Sequence, residues 1–488
     1  MIDRLKIGSL AALGAVALSA MPARAQQPDA QQGQQPETPI PAIRSPLAGA
    51  ADNGDTDIPD SQALTADTRS LTGVEDLSLG TMPVSHSYWQ PHVSVVGTVV
   101  SNPGYAVGGS EWSTWTSLIG GVDIHHVSGV SDLFVSYTGG GMFSSGGDVQ
   151  NGIIQQLALR DKFTFRRSSF SVFEQLGYLP QSSFGFAGTA GTGLPGTGLP
   201  GSGGIGVGTG FTPGESILTP LGQNLSSSTA VEYDVTLTRR ASLTFVGDYA
   251  LLRYFDYNLA NYGNATFQAG YNYQLTRKDT IAVSYMFSAF RYTNLSQSID
   301  SNTIQGSYGR RITGRLAFQV AAGPQFVSSA SAITGTASPA AGSVSSLYWT
   351  LNTSLQYQLR RALLSATYNH GVTGGSGLLE GAETDIATGT FSSQVSRSIN
   401  VGLDAGFSRN KGFAIGGGTT STQQNYKYWF AGVNVAHPIS RSLDVFMNYQ
   451  LQYQDISTGG CVGTACTSNV TSNQISFGIN FHKQPIPF

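Results

Sequence analysis

Charge is scarce in this chain. Only 11 % of its 488 residues are Asp, Glu, Lys or Arg, against about 25 % in ordinary soluble domains. Neither sign dominates: 26 basic and 29 acidic residues leave a formal net charge of −3. That excludes a polybasic nucleic-acid binder and a highly charged disordered tail. Cysteine is almost missing, with 2 in the whole chain, so a disulfide scaffold and a zinc array are excluded. After the first 25 residues no apolar run reaches the ~20 residues that a membrane helix needs. A mean hydropathy of −0.06 agrees, but it leaves room for membrane strands that mix polar and apolar residues. Gly-x-Ser-x-Gly elbows, His-Glu-x-x-His helices and Walker loops are also absent, which argues against an enzyme. No cofactor or metal site is expected.

What is abundant is glycine, 61 residues, together with a sequence of clearly different segments. Residues 1–25 have the pattern of a secretory signal peptide. Arg4 and Lys6 start it, Ile7 to Ala20 is apolar, and Ala23-Arg24-Ala25 is a small-x-small cleavage site. Residues 26–91 read as a periplasmic linker. Its first part is rich in Pro and Gln and too polar to bury a core. A weak helical spacing (Leu64, Leu71, Val74, Leu77) at 61–80 is compatible with a short helix.

From residue 92 the period is two. In 443–454 the residues Leu443, Val445, Met447, Tyr449, Leu451 and Tyr453 share one parity, opposite Asp444, Asn448, Gln450, Gln452 and Gln454. In 347–359, Leu347, Trp349, Leu351, Leu355, Tyr357 and Leu359 oppose Thr350, Asn352, Ser354, Gln356 and Gln358. Successive strand side chains point to opposite faces, so each segment has one apolar and one polar side. Such segments run from 92–100 to 472–482 and number about eighteen, sixteen being the alternative count. The connections alternate between short turns and long loops, as in a transmembrane antiparallel β-barrel with both termini in the periplasm. Arginines gather at the short turns (166, 167, 239, 240, 277, 310, 311, 315, 360, 361, 397 and 441), where they would meet lipid phosphates. Trp349 and Tyr357 are expected to stand in two interfacial girdles, joined by Tyr271 and Tyr273.

On this pattern the tract 92–482 resembles the bacterial outer-membrane β-barrel proteins, porin-like channels and large export barrels among them. The resemblance implies an all-β fold in the outer membrane, contact with its lipids, and insertion by the barrel-assembly machinery. Members usually end on an aromatic residue that this machinery reads. Here Ile475, Phe477, Ile479 and Phe481 alternate as a terminal strand should. Pro485 and Pro487 cannot donate ladder hydrogen bonds, so 483–488 is expected to be a short C-terminal tail carrying Phe488.

If the polar parity faces inward, the lumen is lined mainly by Gln, Asn, Ser, Thr and Tyr. Arg160 and Lys162 would then face Glu232, Asp234, Asp248, Asp404 and Asp444, and opposed charges would set up a transverse field at a constriction. The Gly- and Pro-rich loop 178–226 is the candidate gate. Cys461 and Cys466 are expected to form a small disulfide in an oxidising compartment. His125-His126 reads as a pair at the membrane interface; with His370 it includes the histidines that a barrel hydrolase would use. The leading function is passive diffusion of small hydrophilic, uncharged solutes. The alternatives are a port for exopolysaccharide export and a structural or adhesive surface barrel without a through-pore. A homo-oligomer is compatible; nucleic acid is not an expected partner.

Overall fold

The computed structural model describes residues 87–103, 109–146, 151–179, 223–255, 261–293, 297–331, 342–359, 361–374, 379, 381–396, 398–413, 424–458 and 467–488. The signal-peptide and linker expectations, the two cysteines and the interior of the 178–226 loop lie outside them.

The described strands are β1 Tyr88–Ser101, β2 Trp112–Val127, β3 Ser131–Gly146, β4 Gly152–Thr164, β5 Ser168–Leu179, β6 Asn224–Thr238, β7 Ala241–Tyr254, β8 Tyr262–Gln274 and β9 Asp279–Tyr292. They continue as β10 Gln297–Thr313, β11 Leu316–Ser331, β12 Gly342–Gln358, β13 Ala362–Thr373, β14 Ala382–Ser396, β15 Ile399–Gly412, β16 Gln424–Ser440, β17 Leu443–Thr458 and β18 Thr467–His482, with a two-residue β19 at Ile486–Pro487. Strands β1 to β18 each pair antiparallel with their sequence neighbours, and β19 pairs with β1. β1 returns to β18, from His92 opposite His482 to Val100 opposite Gln474. The result is a closed antiparallel barrel of eighteen long strands and one short one. Closure leaves no free sheet edge, a requirement for strands in hydrocarbon.

The alternation sets the two faces. On β1, Val93, Val95 and Val99 are exposed while Ser94, Val96, Thr98 and Val100 are buried. The same split runs around the wall: Leu118, Phe267, Val283, Leu347 and Phe477 lie outside. A one-residue slip would exchange the faces of a strand, so the hydrophobic pattern pins the register.

Short turns close one end of the barrel and follow each even-numbered strand through β16. Ser128 N–H donates to the Ser131 carbonyl (2.8 Å), Phe165 to Ser168 (2.8 Å) and Leu359 to Ala362 (2.7 Å). At the β8–β9 turn the Thr276 hydroxyl accepts from the N–H groups of Lys278 (3.1 Å) and Asp279 (3.0 Å), a side-chain mimic of a backbone turn. Gly140 marks a close strand contact. A Cβ there would lie 2.8 Å from the Ile119 Cα and strike the Leu118 carbonyl oxygen, so only glycine lets β2 and β3 pair at that point.

The C-terminal expectation needs correction. Residues 483–488 are not an unpaired tail. Lys483 N–H bonds the Pro91 carbonyl (3.1 Å), and the ladder resumes with Trp89 opposite Ile486 and Tyr88 opposite Pro487. Relative to the β1–β18 register this is a slip of one residue. The prolines cannot donate, as expected, but Pro487 can still occupy a ladder position through its carbonyl. Phe488 N–H reaches the Ser87 carbonyl (3.4 Å), and its ring stacks on His126 at 5.7 Å. The barrel therefore starts at Tyr88, earlier than residue 92.

Candidate functional site

The outer wall carries the girdle residues. Trp349, Tyr357 and Tyr271 are exposed on the apolar face. Tyr273 lies on the same parity of β8, opposite Ala241 and Ile281. Trp349 lies at the middle of β12, and Tyr357 lies next to its short turn. A closed barrel whose outer face is apolar and aromatic is built to be solvated by hydrocarbon.

The inner wall holds all seven charged candidates. Arg160 and Lys162 share the parity of buried Ile154 and Ala158 on β4. Glu232, Asp234 and Asp248 face the same side on β6 and β7, Asp404 on β15 and Asp444 on β17. Their arrangement departs from the expected one. Lys162 pairs with Ser171, which pairs with Glu232. Arg160 pairs with Phe173, then Ala230, then Asp248. At about 4.8 Å per strand, these cations stand roughly 10–15 Å from the acids along one arc of wall. Glu232, Asp234 and Asp248 thus share an arc with these cations, whereas Asp404 on β15, seven strands from β4 around the closed ring, stands toward the far side. Spacing along the chain cannot reveal which arc a strand occupies.

Local hydrogen bonds fix several of these groups. Thr244 Oγ1 donates to Asp234 Oδ1 (2.5 Å) and Ser228 Oγ to Asp248 Oδ2 (3.2 Å). The Arg160 guanidinium lies 5.9 Å from the Phe173 ring centre. Asp404 lies over Gly432, where a Cβ would come 2.5 Å from its carboxylate oxygen.

The inner wall is also less uniformly polar than expected. Gln450, Gln452, Gln454 and Gln474 line β17–β18. By contrast, Ala158, Phe173, Ala230 and Val246 form one buried apolar cluster on β4–β7, and Val100, Trp115, Met142 and Ile154 another on β1–β4. β4 reads Ile-Ile-Gln-Gln-Leu-Ala, so its alternation is too weak to have exposed this.

A histidine–carboxylate arc near the short-turn end escaped the sequence. His92 Nδ1 lies 3.6 Å from Asp123, His125 Nε2 lies 2.7 Å from Asp132, and His482 Nδ1 lies 3.3 Å from Asp444. Ser136 Oγ donates to Asp123 (2.6 Å). These residues face inward on β17, β18 and β1–β3. The His125-His126 pair is thereby split: His125 points inward, and His126 points outward to Ser87 Oγ at 3.1 Å and to Phe488. No local spacing links positions 92, 123, 444 and 482; only barrel closure does.

At the long-loop end, Gly374, Leu379 and Gly381, the described residues between β13 and β14, touch strands that are not their neighbours. Tyr292 on β9 donates its hydroxyl to the Gly374 carbonyl (2.9 Å), four strands away around the wall. Gly381, at φ 88°, lies against the Ile299 side chain of β10 and 3.0 Å, as a virtual Cβ, from the Phe413 ring. Leu379 packs with Ala382, Tyr426 and Ile456 on β14, β16 and β17. At about 4.8 Å per strand, β9 and β13, like β10 and β14, are separated by roughly 20 Å of wall, which the contacts at Gly374 and Gly381 bridge. The expectation of an inward segment at 178–226 lies outside the described residues, whereas these contacts are at 374–381.

His370 belongs to the outer wall, not to a lumen site. Its Nδ1 bonds Asp385 (2.7 Å), Tyr368 donates to the same oxygen (2.8 Å), and Trp349 stacks on its ring at 3.9 Å. None of these partners is a serine, threonine or cysteine nucleophile.

No family model matches the chain, and no curated protein matches it. Solved structures similar to it include OccK2 (OpdF) of Pseudomonas aeruginosa in complex with glucuronate, at 10 % identity over 81 % of this chain and 98 % of that one, TM-score 0.37. OpdO of the same organism matches at 10 % identity over 82 % and 98 %, TM-score 0.38. OccAB3 of Acinetobacter baumannii matches at 11 % over 82 % and 100 %, TM-score 0.37. At these values the likeness decides nothing about function, and the class rests on the barrel's own geometry: a closed, antiparallel, membrane-type barrel.

Proposed function

We propose that the chain is an outer-membrane channel for passive diffusion of small hydrophilic solutes. Short turns and both termini lie on the periplasmic side in this reading. The observation that carries it is the sorting of faces: apolar and aromatic outside, hydroxyl, amide and ionised side chains inside, on a wall closed between β1 and β18. A surface barrel without a path has no need for seven inward carboxylates.

The inner carboxylates Asp123, Asp132, Glu232, Asp234, Asp248, Asp404 and Asp444 outnumber the inward cations identified on β4. Uncharged and cationic solutes are therefore favoured over anions. Planar-bilayer recording tests both parts. Discrete conductance steps with a reversal potential favouring cations are expected. A purified, folded barrel with no conductance would overturn the channel. Liposome swelling with sugars of rising size then gives the cutoff.

A further inference from the structure

The described Lys and Arg side chains in the long-loop halves of the strands are Arg253, Arg291, Arg409, Lys411 and Lys427. Three of them sit together on the outer wall. Arg409 is directly opposite Lys427, and Lys411 is the next outward residue on β15. Their outward parity is that of Phe407 and Trp429, whose rings meet at 4.2 Å. Arg409 and Lys427 are exposed and Lys411 is half-buried.

Like charges directly opposite on a ladder repel, and here nothing in the described structure neutralises them by contact. Carboxylates do flank the group: Asp385 is opposite Arg409, Glu383 opposite Lys411, and Asp455 opposite Lys427. No ion pair joins them to these cations among the described residues. Asp385 instead receives His370 and Tyr368 on one oxygen, and Glu383 lies 3.7 Å from His370 Nε2. Arg291, by comparison, is held by Asp300 at 2.6 Å.

Height gives the partner. β15 leaves its short turn at Ile399 and β16 enters its own at Ser440. At about 3.3 Å per residue and a tilt of about 40°, Arg409 stands roughly 25 Å above the turn that precedes β15, and Lys427, directly opposite it, stands within about 5 Å of that level. The hydrocarbon band of such barrels is about 25 Å tall. Below the cations the same face is apolar, with exposed Leu403, Val433, Met447 and Leu451 under the Phe407–Trp429–Tyr453 row. Unpaired cations just above a greasy, aromatic-topped wall match a molecule with phosphate above acyl chains.

We propose that Arg409, Lys411 and Lys427 form a docking surface for the phosphorylated headgroup of a lipid in the extracellular leaflet. Its acyl chains would lie on the β15–β17 wall. This requires the membrane placement and orientation proposed above, but not the channel activity.

The test uses the full-length barrel in non-ionic detergent, titrated with diphosphoryl lipid A, the same lipid without phosphates, and inorganic phosphate. Binding is read by native mass spectrometry and thermal shift. The intact protein should bind the phosphorylated lipid and neither of the others comparably. The triple variant Arg409→Gln/Lys411→Gln/Lys427→Gln should bind about a hundredfold more weakly, at about 1 kcal/mol per cation. Arg253→Gln, a cation outside the group, should bind like the parent. Heat-modifiable gel mobility confirms folding; if the triple variant fails it, Lys427→Gln alone should weaken binding about fivefold. Unchanged affinity in the folded variants, equal binding of the dephosphorylated lipid, or saturation by inorganic phosphate alone would each overturn the proposal. Missing conductance with intact lipid binding would remove the channel and leave this surface standing.

Discussion

At the short-turn end the chain reverses direction within two to four residues after each even-numbered strand through β16, and each reversal is closed by local hydrogen bonds. Even the last residues stay in the ladder, through the β19 pairing with β1. At the long-loop end, order comes from contacts between strands far apart in the wall. Tyr292 holds Gly374, Ile299 meets Gly381, and Leu379 reaches Tyr426 and Ile456. One end is specified by neighbours in sequence, the other by contacts between strands that are not neighbours in the wall. The contrast suits a channel whose scaffold must be rigid and whose entrance must discriminate, because connecting segments carry function while the ladder carries stability.

Four substitutions break or sharpen this contrast. The largest effect belongs to neither end. Val95→Arg places a charge on the lipid face between Ile479 and Leu118. It should destabilise the barrel by about 2–4 kcal/mol, read as a lower denaturant midpoint in lipid vesicles; an unchanged midpoint would mean that Val95 does not face hydrocarbon. Next is Gly381→Ala at the mouth. A side chain at positive φ costs about 1–2 kcal/mol, and here it also meets Ile299 and Phe413. Hydrogen exchange should quicken at 381–386 and stay slow around the short turns; loss of protection throughout the barrel would show that the two ends are not separable. Tyr292→Phe removes one hydrogen bond, worth about 1 kcal/mol, and should raise single-channel current noise without moving global stability. The smallest effect is expected from Phe488→Ala. It removes the stack on His126 and should lower stability by about 0.5–1.5 kcal/mol, with conductance untouched; altered conductance would tie the terminal pairing to the pore.

The strands were readable because their physics is local. Alternation in 443–454 and 347–359 marks a two-faced strand whatever surrounds it, and β17 and β12 follow with the expected outer parity. The outward parity of Trp349, Tyr357, Tyr271 and Tyr273 was readable for the same reason. The inward parity of Glu232, Asp234, Asp248, Asp404 and Asp444 was legible too. Their distances from Arg160 and Lys162 were not: Glu232, Asp234 and Asp248 share one arc with these cations, while Asp404 and Asp444 lie seven and five strands away around the ring. His92, Asp123 and His482 belong to one arc because β1 pairs with both β2 and β18, a fact that no window along the chain contains. The tail 483–488 was misjudged since proline's missing donor forbids one kind of ladder position and not every kind.

By itself, then, the sequence determined the strand period, the face each residue takes, the turn positions and the poverty of charge that suits a wall in lipid. These follow from side-chain alternation and backbone geometry within a few residues. Tertiary structure decided which strands became neighbours on closure, which distant strands touch at the long-loop end, and which cations were left together without an ion-pair partner among the described residues. Those depend on distances set by the curvature and register of the whole cylinder, and such distances exist only once it has closed.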